Sequence, residues 1–434
     1  MLKNIIIKIY NLLIIILLPL LFVRLLVKSL KSKPYRLRWC ERLGIFKSPG
    51  FKDSIWVHAV SVGEIIAATP IIQKIQEKLP EQNIVVTCTT PAGSYMVNKL
   101  FSKFNNILHV YFPFDINFVI NNFLKKTKPK LLIILEKEIW PNLIVNCSNN
   151  NIPIIIANAQ MSNRSFRRYW LVKSLIAWIL QKIAFISAQT KFDAYKFKKF
   201  ICNKQDIIEI NGNTKFDSVI QNIKSNITTI TRPTWIAAST HPGEEELIIK
   251  AHQIILNTIP DALLILAPRH IERCSNIVNI IKGNSQDINI SIRSQQSIKI
   301  PEGHIYLADS LGELNLLYSM SNVAFVGGSL VPFIGGHNVL EPAALSVPII
   351  VGPYTANCKQ IVTKLELARG LFVVKNHEEL AEIIIKLLNN NNLREQIGAN
   401  ALNFLYKQIG ASDKIVDKCL ELIMAIDSQA LIKV

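Results

Sequence analysis

Short, uninterrupted apolar runs alternate with helical stretches from about residue 55 to the end of the chain. Runs without intervening polar residues are typical of parallel strands that are buried on both faces. Because 434 residues exceed one typical core, we expect two doubly wound α/β domains with a cleft between them. The pattern predicts eleven strands, at Ile55–Val60, Ile84–Thr87, Ile107–Phe112, Leu131–Leu135, Ile154–Ala157, Ile183–Ala188, Trp235–Ala238, Ala262–Ala267, Val323–Val326, Val347–Val351 and Leu371–Val374.

The two series of strands are separated by SVIQNIKSNITTITRP, where the apolar pattern lapses. This break predicts a linker, and the last helical stretch, Leu393 to Ala430, is amphipathic enough to pack back across the first domain. We therefore expect five segments: an apolar anchor with a basic collar, a first Rossmann-like domain, a linker, a second Rossmann-like domain and a C-terminal helix, at 1–36, 37–217, 218–233, 234–408 and 409–434.

The first 30 residues predict a membrane anchor. The uninterrupted apolar core, Leu12 to Val23, is shorter than the roughly 20 residues of an untilted span, but Lys8 and Arg24 could extend to opposite interfaces. A true span and a helix lying in the interface therefore both stay open. No small-x-small cleavage site follows, which argues against a cleaved signal peptide.

Half of the formal charge of +18 lies in residues 1–50, which carry ten Lys or Arg and one Glu. Basic residues beside an apolar segment favour an anionic membrane surface, and they hold the following domains on the cytoplasmic side. No nucleic-acid-binding motif accompanies them, so we expect no nucleic-acid partner. The seven scattered cysteines contain no C-x-x-C pair, which argues against a zinc site or a disulfide framework.

The stretch from Asn322 to Pro353 has the order strand, glycine loop, polar residues, helix and strand. Open α/β sheets bind ligands at the carboxyl ends of their strands, where glycines let backbone N–H groups approach a phosphate. The glycine pairs Gly327-Gly328 and Gly335-Gly336 and the carboxylate of Glu341 therefore predict a nucleotide site. Two tight turns around an ordinary helix are the alternative.

Two further strand ends carry carboxylates. Glu64 follows the first strand at a helix start, where we expect it to stay ionised and to serve either as a general base or as a helix cap. Glu136 and Glu138 follow a later strand; in extended chain they share one face, although either could cap the next helix. His58, inside its strand, is expected to be a core residue.

Basic residues and hydroxyls follow other strands. Lys215 lies in a glycine-containing turn, Arg269-His270 follow one strand of the second series, and Ser239-Thr240-His241 follow another. Such groups suit a nucleotide phosphate or a carboxylated sugar. No P-loop, H-E-x-x-H or G-x-S-x-G motif occurs, and no D-x-D pair suggests a divalent metal.

Together these motifs resemble the 3-deoxy-D-manno-octulosonic acid (Kdo) transferases of Gram-negative bacteria. The resemblance covers nearly the whole chain, in the order RWCERLG, SVGE, E-x-E-x-W-P-N, GNTKFD, STHPGEEE, APRH, GELNLLY, GGSL and GGHNVLEP. It implies the GT-B fold, with two Rossmann-like domains, and no cofactor or metal. It also implies inverting transfer of Kdo from CMP-Kdo to the glucosamine disaccharide of a lipid A precursor, at the bacterial inner membrane.

The resemblance also assigns roles to residues. Glu64 matches the general base that deprotonates the acceptor 6′-hydroxyl, and Glu136 and Lys215 match groups that stabilise the transition state. The implied CMP site comprises Pro268, Arg269, Gly312, Glu313, Leu314, Asn338, Val339, Leu340 and Glu341.

Some positions depart from the family pattern: RHIERC replaces RHPERF, HNVLE replaces HNPLE, NCK replaces NFK, and Phe333-Ile334 add a residue before GGHN. None of these changes removes a charged residue. Two other interpretations stay open, namely another GT-B nucleotide-sugar transferase and a non-catalytic protein that binds anionic lipid through its basic N-terminus.

Overall fold

The computed structural model describes residues 2–31, 33–201, 205–221, 230–284, 288–295 and 303–432. The chain divides into two compact units. The first domain consists of Met1–Ser218 and Ile409–Val434, and the second domain of Val219–Gln408. Half of the predicted linker, residues 222–229, lies outside the described residues.

The first domain contains a seven-stranded sheet in which every pairing is parallel. The strand order is β3-β2-β1-β4-β5-β6-β7, so the direction of winding reverses between β1 and β4. The strands are β1 (Ser54–His58), β2 (Ile84–Cys88), β3 (Ile107–Tyr111), β4 (Pro129–Leu135), β5 (Ile154–Ala159), β6 (Phe185–Ala188) and β7 (Ile208–Ile210).

Nine α-helices begin before the second domain in the described part of the chain. Several begin with a side-chain cap: the hydroxyls of Ser61, Thr90, Ser162 and Thr190 each accept a backbone N–H of the first turn. The helices are α1 (Leu2–Lys31), α2 (Val62–Lys78), α3 (Pro91–Phe101), α4 (Asn117–Thr127), α5 (Pro141–Asn149), α6 (Asn163–Leu171), α7 (Lys173–Leu180), α8 (Lys191–Lys198) and α9 (Thr214–Gln221).

Both faces of the first sheet are buried, as the continuous apolar strands predict. Trp56 packs on one face with Val85 and Leu132 of the neighbouring strands. Ile55 and Val57 belong to the cluster on the opposite face. The five residues of β1 are all buried, which fixes the position of the loop that follows the strand.

The second domain has the same design. Its parallel sheet has the order β10-β11-β9-β8-β12-β13-β14, and its winding reverses between β8 and β12. The strands are β8 (Thr234–Thr240), β9 (Leu263–Pro268), β10 (Ile290–Ile292), β11 (Ile305–Leu307), β12 (Val323–Val326), β13 (Ile349–Val351) and β14 (Leu371–Val373).

Helices cover both faces of this sheet too. The longer ones show one apolar face; in α15, for example, Leu380, Ala381 and Ile384 are fully buried. The helices are α10 (Glu244–Thr258), α11 (Cys274–Asn284), α12 (Leu314–Ser319), α13 (Leu340–Ala344), α14 (Lys359–Leu367), α15 (His377–Leu388) and α16 (Asn391–Tyr406).

The last helix, α17 (Ala411–Ile432), belongs to the first domain. The helical stretch expected from residue 393 to 430 consists of two helices, because Gly410 has φ of +102° and separates α17 from α16. Ile415 and Val416 of α17 are buried in the same cluster as Ile65 of α2. The carboxylate of Asp217 accepts the N–H groups of Gly410 and Ser412, each at 2.7 Å, and so holds the start of α17.

Each of the eleven predicted strands overlaps an observed one, and the predicted fold class of two Rossmann-like, doubly wound domains is confirmed. The predictions missed β7, β10 and β11. A polar residue interrupts the apolar run in β7 (Glu209) and in β10 (Ser291), and the local pattern does not distinguish the three-residue β11.

Helix α1 contains the apolar segment Ile6–Leu30, whose mean hydropathy of 2.6 and 25 residues would suffice to cross a membrane. No other helix in the described part of the chain meets that test. The apolar N-terminal helix predicted from the sequence is therefore present.

Candidate active site

The carboxyl ends of β1 and β4 lie side by side, because these strands pair across the reversal point of the first sheet. Such reversal points are where open α/β sheets bind ligands. Glu64 follows β1 within the first turn of α2, and Glu136 directly follows β4. The sheet order therefore brings two of the predicted site residues to one edge.

Glu64 is held at the start of α2. Its carboxylate accepts the backbone N–H of Val60 at 2.6 Å and the hydroxyl of Ser61 at 3.3 Å. In return, the N–H of Glu64 donates to the Ser61 hydroxyl at 3.4 Å, so Ser61 caps α2. The arrangement differs from a capping box, because Glu64 accepts the N–H of Val60 and not that of Ser61. Glu64 therefore takes part in capping α2, as the alternative interpretation predicts. The same contacts fix the direction of its carboxylate.

Burial raises the pKa of Glu64 to about 7. The nearby carboxylates of Glu136 and Glu138 raise this pKa further, while the N–H of Val60 and the hydroxyl of Ser61 oppose the shift. Our expectation of a fully ionised Glu64 is therefore wrong, because the cost of burying its charge exceeds the benefit of the helix start. Near neutral pH this carboxyl group exchanges a proton readily.

Glu136 forms an ion pair with Lys215, whose Nζ lies 3.2 Å from Glu136 Oε1. The backbone of Glu136 has φ of +60°, a conformation that is uncommon for residues other than glycine and recurs at functional sites. Its N–H donates to the carbonyl of Ala157 at 2.9 Å, so neighbouring β5 fixes this turn. Two of the three predicted catalytic residues are in direct contact.

Glu136 begins a turn on a backbone with positive φ, so the extended chain assumed in the prediction is not present. Both carboxylates nevertheless lie close enough to Glu64 to raise its pKa. Burial raises the pKa of Glu138, and Glu136 adds to the shift. Neither carboxylate caps α5, contrary to that alternative. Asp115 does so instead, by accepting the N–H groups of Asn142 at 3.0 Å and Leu143 at 2.7 Å.

Lys215 lies in the first turn of α9, and hydrogen bonds hold the start of this helix at the end of the sheet. The side chain of Asn158 accepts the N–H of Thr214 at 3.1 Å, and that of Asn213 accepts the N–H of Lys215 at 3.0 Å. These bonds position the start of α9 and therefore the ammonium group that meets Glu136.

His58 lies fully buried in β1, as expected of a core residue. Its ring stacks on Phe112 with 3.9 Å between centroids, and burial lowers its pKa to about 3. The imidazole is therefore neutral at physiological pH.

The glycine loop of the second domain is built around Glu244, which the sequence analysis did not single out. This fully buried carboxylate accepts four backbone N–H groups, those of His241 at 3.0 Å, Gly328 at 2.7 Å, Ser329 at 3.0 Å and Leu330 at 2.9 Å. In the sequence, the three acidic residues at the start of α10 could have pointed to this role of Glu244. His241 follows β8, whereas Gly328, Ser329 and Leu330 follow β12. Glu244 therefore connects the loops on the two sides of the reversal point.

Gly327 is required by close packing: a Cβ there would meet the carbonyl oxygen of Ser239 at 2.8 Å. A side chain at this position would force the ends of β8 and β12 apart.

Two imidazoles meet beside this loop. The Nε2 atoms of His241 and His337 are 2.7 Å apart, their rings are nearly parallel, and His270 approaches His241 edge-on. Burial, followed by the charges of His241, Arg269 and His270, lowers the pKa of His337 to about 4. His241 and His270 are among the residues predicted from the sequence, and the structure adds His337 as their neighbour.

The residues of the implied CMP site follow β9, β11 and β12, which with β8 are neighbours in the sheet. Pro268 ends β9, and the N–H of Arg269 donates to the carbonyl of Thr240 at 3.1 Å. Asn338 donates to the carboxylate of Glu341 at 3.0 Å, and burial raises the pKa of Glu341. Val339 and Leu340, between them, are buried.

The remaining segment, from Gly312 to Leu314, leads into α12, whose first residue is Leu314. The guanidinium of Arg293 donates two hydrogen bonds to Glu313, at 3.1 and 3.0 Å, and Ser310 donates a third. The bonds from Arg293 lower the pKa of Glu313, so it is held as a carboxylate. No motif in the sequence pointed to Arg293. Within the described ranges, no group of three or more His, Cys, Asp or Glu side chains could hold a metal ion.

The two-domain fold is similar to known structures. The UDP-GlcNAc 2-epimerase of Neisseria meningitidis, bound to UDP-GlcNAc, matches 85% of this chain and 100% of its own with a TM-score of 0.59. Only 14% of the aligned residues are identical, so this likeness concerns the fold alone.

Sequence comparison gives the family. Residues 37–218 match the model of 3-deoxy-D-manno-octulosonic-acid transferases, and residues 231–404 match that of glycosyl transferases group 1. The 3-deoxy-D-manno-octulosonic acid transferase of Haemophilus influenzae is 36% identical over 94% of this chain and 96% of its own. The transferase of that name from Rickettsia bellii is 31% identical over 96% and 98%. The chain therefore belongs to the Kdo transferase family of glycosyltransferases.

Proposed function

We propose that this protein transfers Kdo from CMP-Kdo to a lipid A precursor in lipopolysaccharide biosynthesis, with Glu64 as the general base. The observation that carries the proposal is the buried carboxyl of Glu64, with a pKa of about 7, at the reversal point of the first sheet. The Glu136–Lys215 ion pair follows the adjacent strand.

A general base works best when its pKa is close to the operating pH, because it is then both deprotonated and basic enough to accept a proton. Glu64 meets this condition. Its hydrogen bonds with Val60 and Ser61 keep the carboxylate pointing in one direction, which reduces the entropy lost on reaching the reactive geometry.

In the proposed reaction, the carboxylate of Glu64 accepts the proton of the acceptor 6′-hydroxyl. The hydroxyl oxygen forms a bond to the anomeric carbon of Kdo, and the bond from that carbon to the CMP oxygen breaks. The electron pair of the broken bond leaves with the phosphate. One bond forms as one breaks on the opposite face, so the configuration inverts.

Glu136 and Lys215 have complementary roles in this proposal. A sugar that loses its leaving group acquires positive charge, and a carboxylate held by an ion pair can stabilise that charge without moving. The constrained backbone of Glu136 and the anchored start of α9 supply such preorganisation.

We assign the donor nucleotide to the second domain. Arg269 supplies a permanent positive charge for the phosphate, while Glu341 and Asn338 are suited to the ribose and the base. Glu244 accepts the N–H groups of Gly328, Ser329 and Leu330 and so keeps the glycine loop rigid. Because these N–H groups are taken, the positive charge for the phosphate comes from Arg269.

Lipid acceptors lie at a membrane, and the apolar helix α1 supports attachment to one, with both domains on the cytoplasmic side. The bacterial inner membrane is the proposed site of action.

The test is to incubate purified protein with CMP-Kdo, generated in situ, and a tetra-acylated lipid A precursor, and to weigh the lipid by mass spectrometry. We expect the lipid to gain one or more Kdo masses. Glu64→Gln, which retains an acceptor for the N–H of Val60, should transfer Kdo roughly 10²- to 10⁴-fold more slowly. Unchanged lipid, with an authentic Kdo transferase active in a parallel tube, would overturn the proposal, and UDP- and GDP-sugars would then be tried.

A further inference from the structure

One face of α1 packs against the first domain along most of its length. From residue 6 to residue 30, the less exposed positions recur at intervals of three and four, as they do in a helix that lies on a surface. These positions are Ile6, Ile7, Tyr10, Asn11, Ile14, Leu18, Leu21, Phe22, Leu25 and Ser29.

The opposite side of α1 presents a continuous apolar stripe. Its large side chains are each about half exposed or more, and Leu30 is 77% exposed. The stripe consists of Ile9, Leu12, Leu13, Ile15, Ile16, Leu17, Leu20, Val23, Leu26, Val27 and Leu30. Soluble surfaces rarely carry so long an apolar face.

The packed face is fastened by polar groups that we call the polar lock: Tyr10, Asn11, Asp115, Asn117 and Asn142. The Tyr10 hydroxyl donates to Asp115 at 2.9 Å, and Asn11 exchanges two side-chain hydrogen bonds with Asn142, at 3.0 and 2.9 Å. The N–H of Asn117 donates to Asn11 at 3.1 Å. All these bonds join α1 to residues of the globular part of the domain.

A second contact lies eleven residues further along α1. Phe22 packs against Trp39 and Phe114, with ring centroids 5.9 and 5.7 Å apart. At 1.5 Å per residue, the polar lock and this aromatic contact are roughly 16 Å apart along the helix axis. Helix α1 is therefore fastened at two separated points and cannot stand away from the domain without breaking one of them.

These contacts oppose a bilayer-spanning orientation. Tyr10 and Asn11 lie inside the 25-residue segment that would have to cross. If they entered the hydrocarbon, either their bonds to the domain would break, or buried Asp115 and Asn142 would have to enter with them. Polar groups without partners, and charged groups, are costly in lipid.

We propose that α1 lies in the plane of the membrane, its apolar stripe in one leaflet and its polar lock facing the first domain, so that both ends of the helix stay on the cytoplasmic side. The partner surface is an anionic lipid bilayer. Lys8, Arg24 and Lys28 of α1, together with Lys33 and Arg36 just after it, supply the matching positive charge. The inference rests on the proposed membrane attachment.

The test places a short tag with one cysteine before Met1 and labels it with a membrane-impermeant maleimide. The exposed Cys40 of the first domain serves as the cytoplasmic reference. In intact spheroplasts neither position should react, and both should react once the inner membrane is permeabilised. Labelling of the tag alone in intact spheroplasts would show a span and overturn the proposal.

Two matched variants test whether the polar lock determines the orientation of α1. Tyr10→Leu/Asn11→Leu removes the hydrogen bonds of the polar lock and extends the apolar run, so a fraction of tags should become accessible from outside. Ile16→Leu, on the exposed stripe, should leave labelling unchanged. Equal labelling of the two variants would show that the polar lock does not set the orientation.

Kdo transfer is measured in the same membranes. If a protein whose tag is accessible from outside still transfers Kdo, the in-plane orientation is wrong but the proposed function stands. If the protein is found only in the soluble fraction, the membrane attachment on which the in-plane orientation rests is wrong.

Discussion

Lys215 donates a hydrogen bond of 3.2 Å to Glu136, a residue 79 positions earlier in the chain. The pair joins the end of β4 to the start of α9 and holds a carboxylate on a backbone with positive φ. Its partners have unequal exposure: Lys215 is 37% exposed and Glu136 14%. The ammonium group therefore remains partly open to solvent, while the carboxylate is mostly enclosed.

We expect Lys215→Met to lower kcat for Kdo transfer roughly 10²- to 10³-fold, the range seen when one preorganised electrostatic group is lost. CMP binding, assigned to the second domain, should be unchanged in a calorimetric titration. Lys418→Met removes a lysine of α17 that contacts Glu421 and the ring of Phe185, and it should keep normal turnover. Wild-type kcat in Lys215→Met would remove this residue from the catalytic group.

The pKa of Glu64, about 7, predicts how kcat/KM for Kdo transfer changes with pH in the acidic range. A general base must be deprotonated, so kcat/KM should fall tenfold per pH unit below about pH 7 and level off above it. Glu138→Gln removes a negative charge that raises this pKa, so the fall should begin at lower pH. A profile that is flat from pH 5 to 8 would exclude Glu64 as the base.

Glu64→Gln and Glu64→Ala separate the two roles of this residue. Both should reduce turnover by roughly 10²- to 10⁴-fold, the usual contribution of a general base. Only Glu64→Ala removes the acceptor for the Val60 N–H, so it should also lower the Tm by more than Glu64→Gln does. Calorimetry and the mass-spectrometric assay measure the two effects, and an active Glu64→Gln would leave only the capping role.

Arg269→Ala should raise the donor KM by roughly 10- to 100-fold, as expected for the loss of one charge-assisted contact. Lys386→Ala, an exposed position on α15, provides the control for a change in net charge. If Arg269→Ala and Lys386→Ala gave the same donor KM, Arg269 would not touch the nucleotide.

Glu244→Gln tests the architecture of the glycine loop. An amide offers one acceptor oxygen where the carboxylate offers two, and its NH₂ group faces N–H donors. We expect a loss of about 3 kcal/mol in the stability of the second domain, since buried donors lose a charged acceptor. Calorimetry should show a lower Tm for that domain, and an unchanged Tm would mean that the loop holds without this carboxylate.

The sequence predicts most of the strands because buried parallel strands form apolar runs longer than three residues, as in β4 or β9. It also predicts the glycine loop, since glycines and polar residues at a strand end form a local pattern. The contacts of Glu244 and Arg293 depend on which strands become neighbours, and no local pattern contains that information. The pKa of Glu64 was misjudged for the same reason: the helix start is visible in the sequence, but the degree of burial is not.

Helix α17 has a consequence for synthesis. Ile415, Val416 and Cys419 fill the core of a domain whose other residues leave the ribosome some 200 residues earlier. The nascent first domain must therefore wait, with part of its apolar surface uncovered, until the second domain and α17 have also been made. During that interval it is open to chaperones and proteases, and a nonsense mutation before α17 would damage the part of the enzyme that was made first.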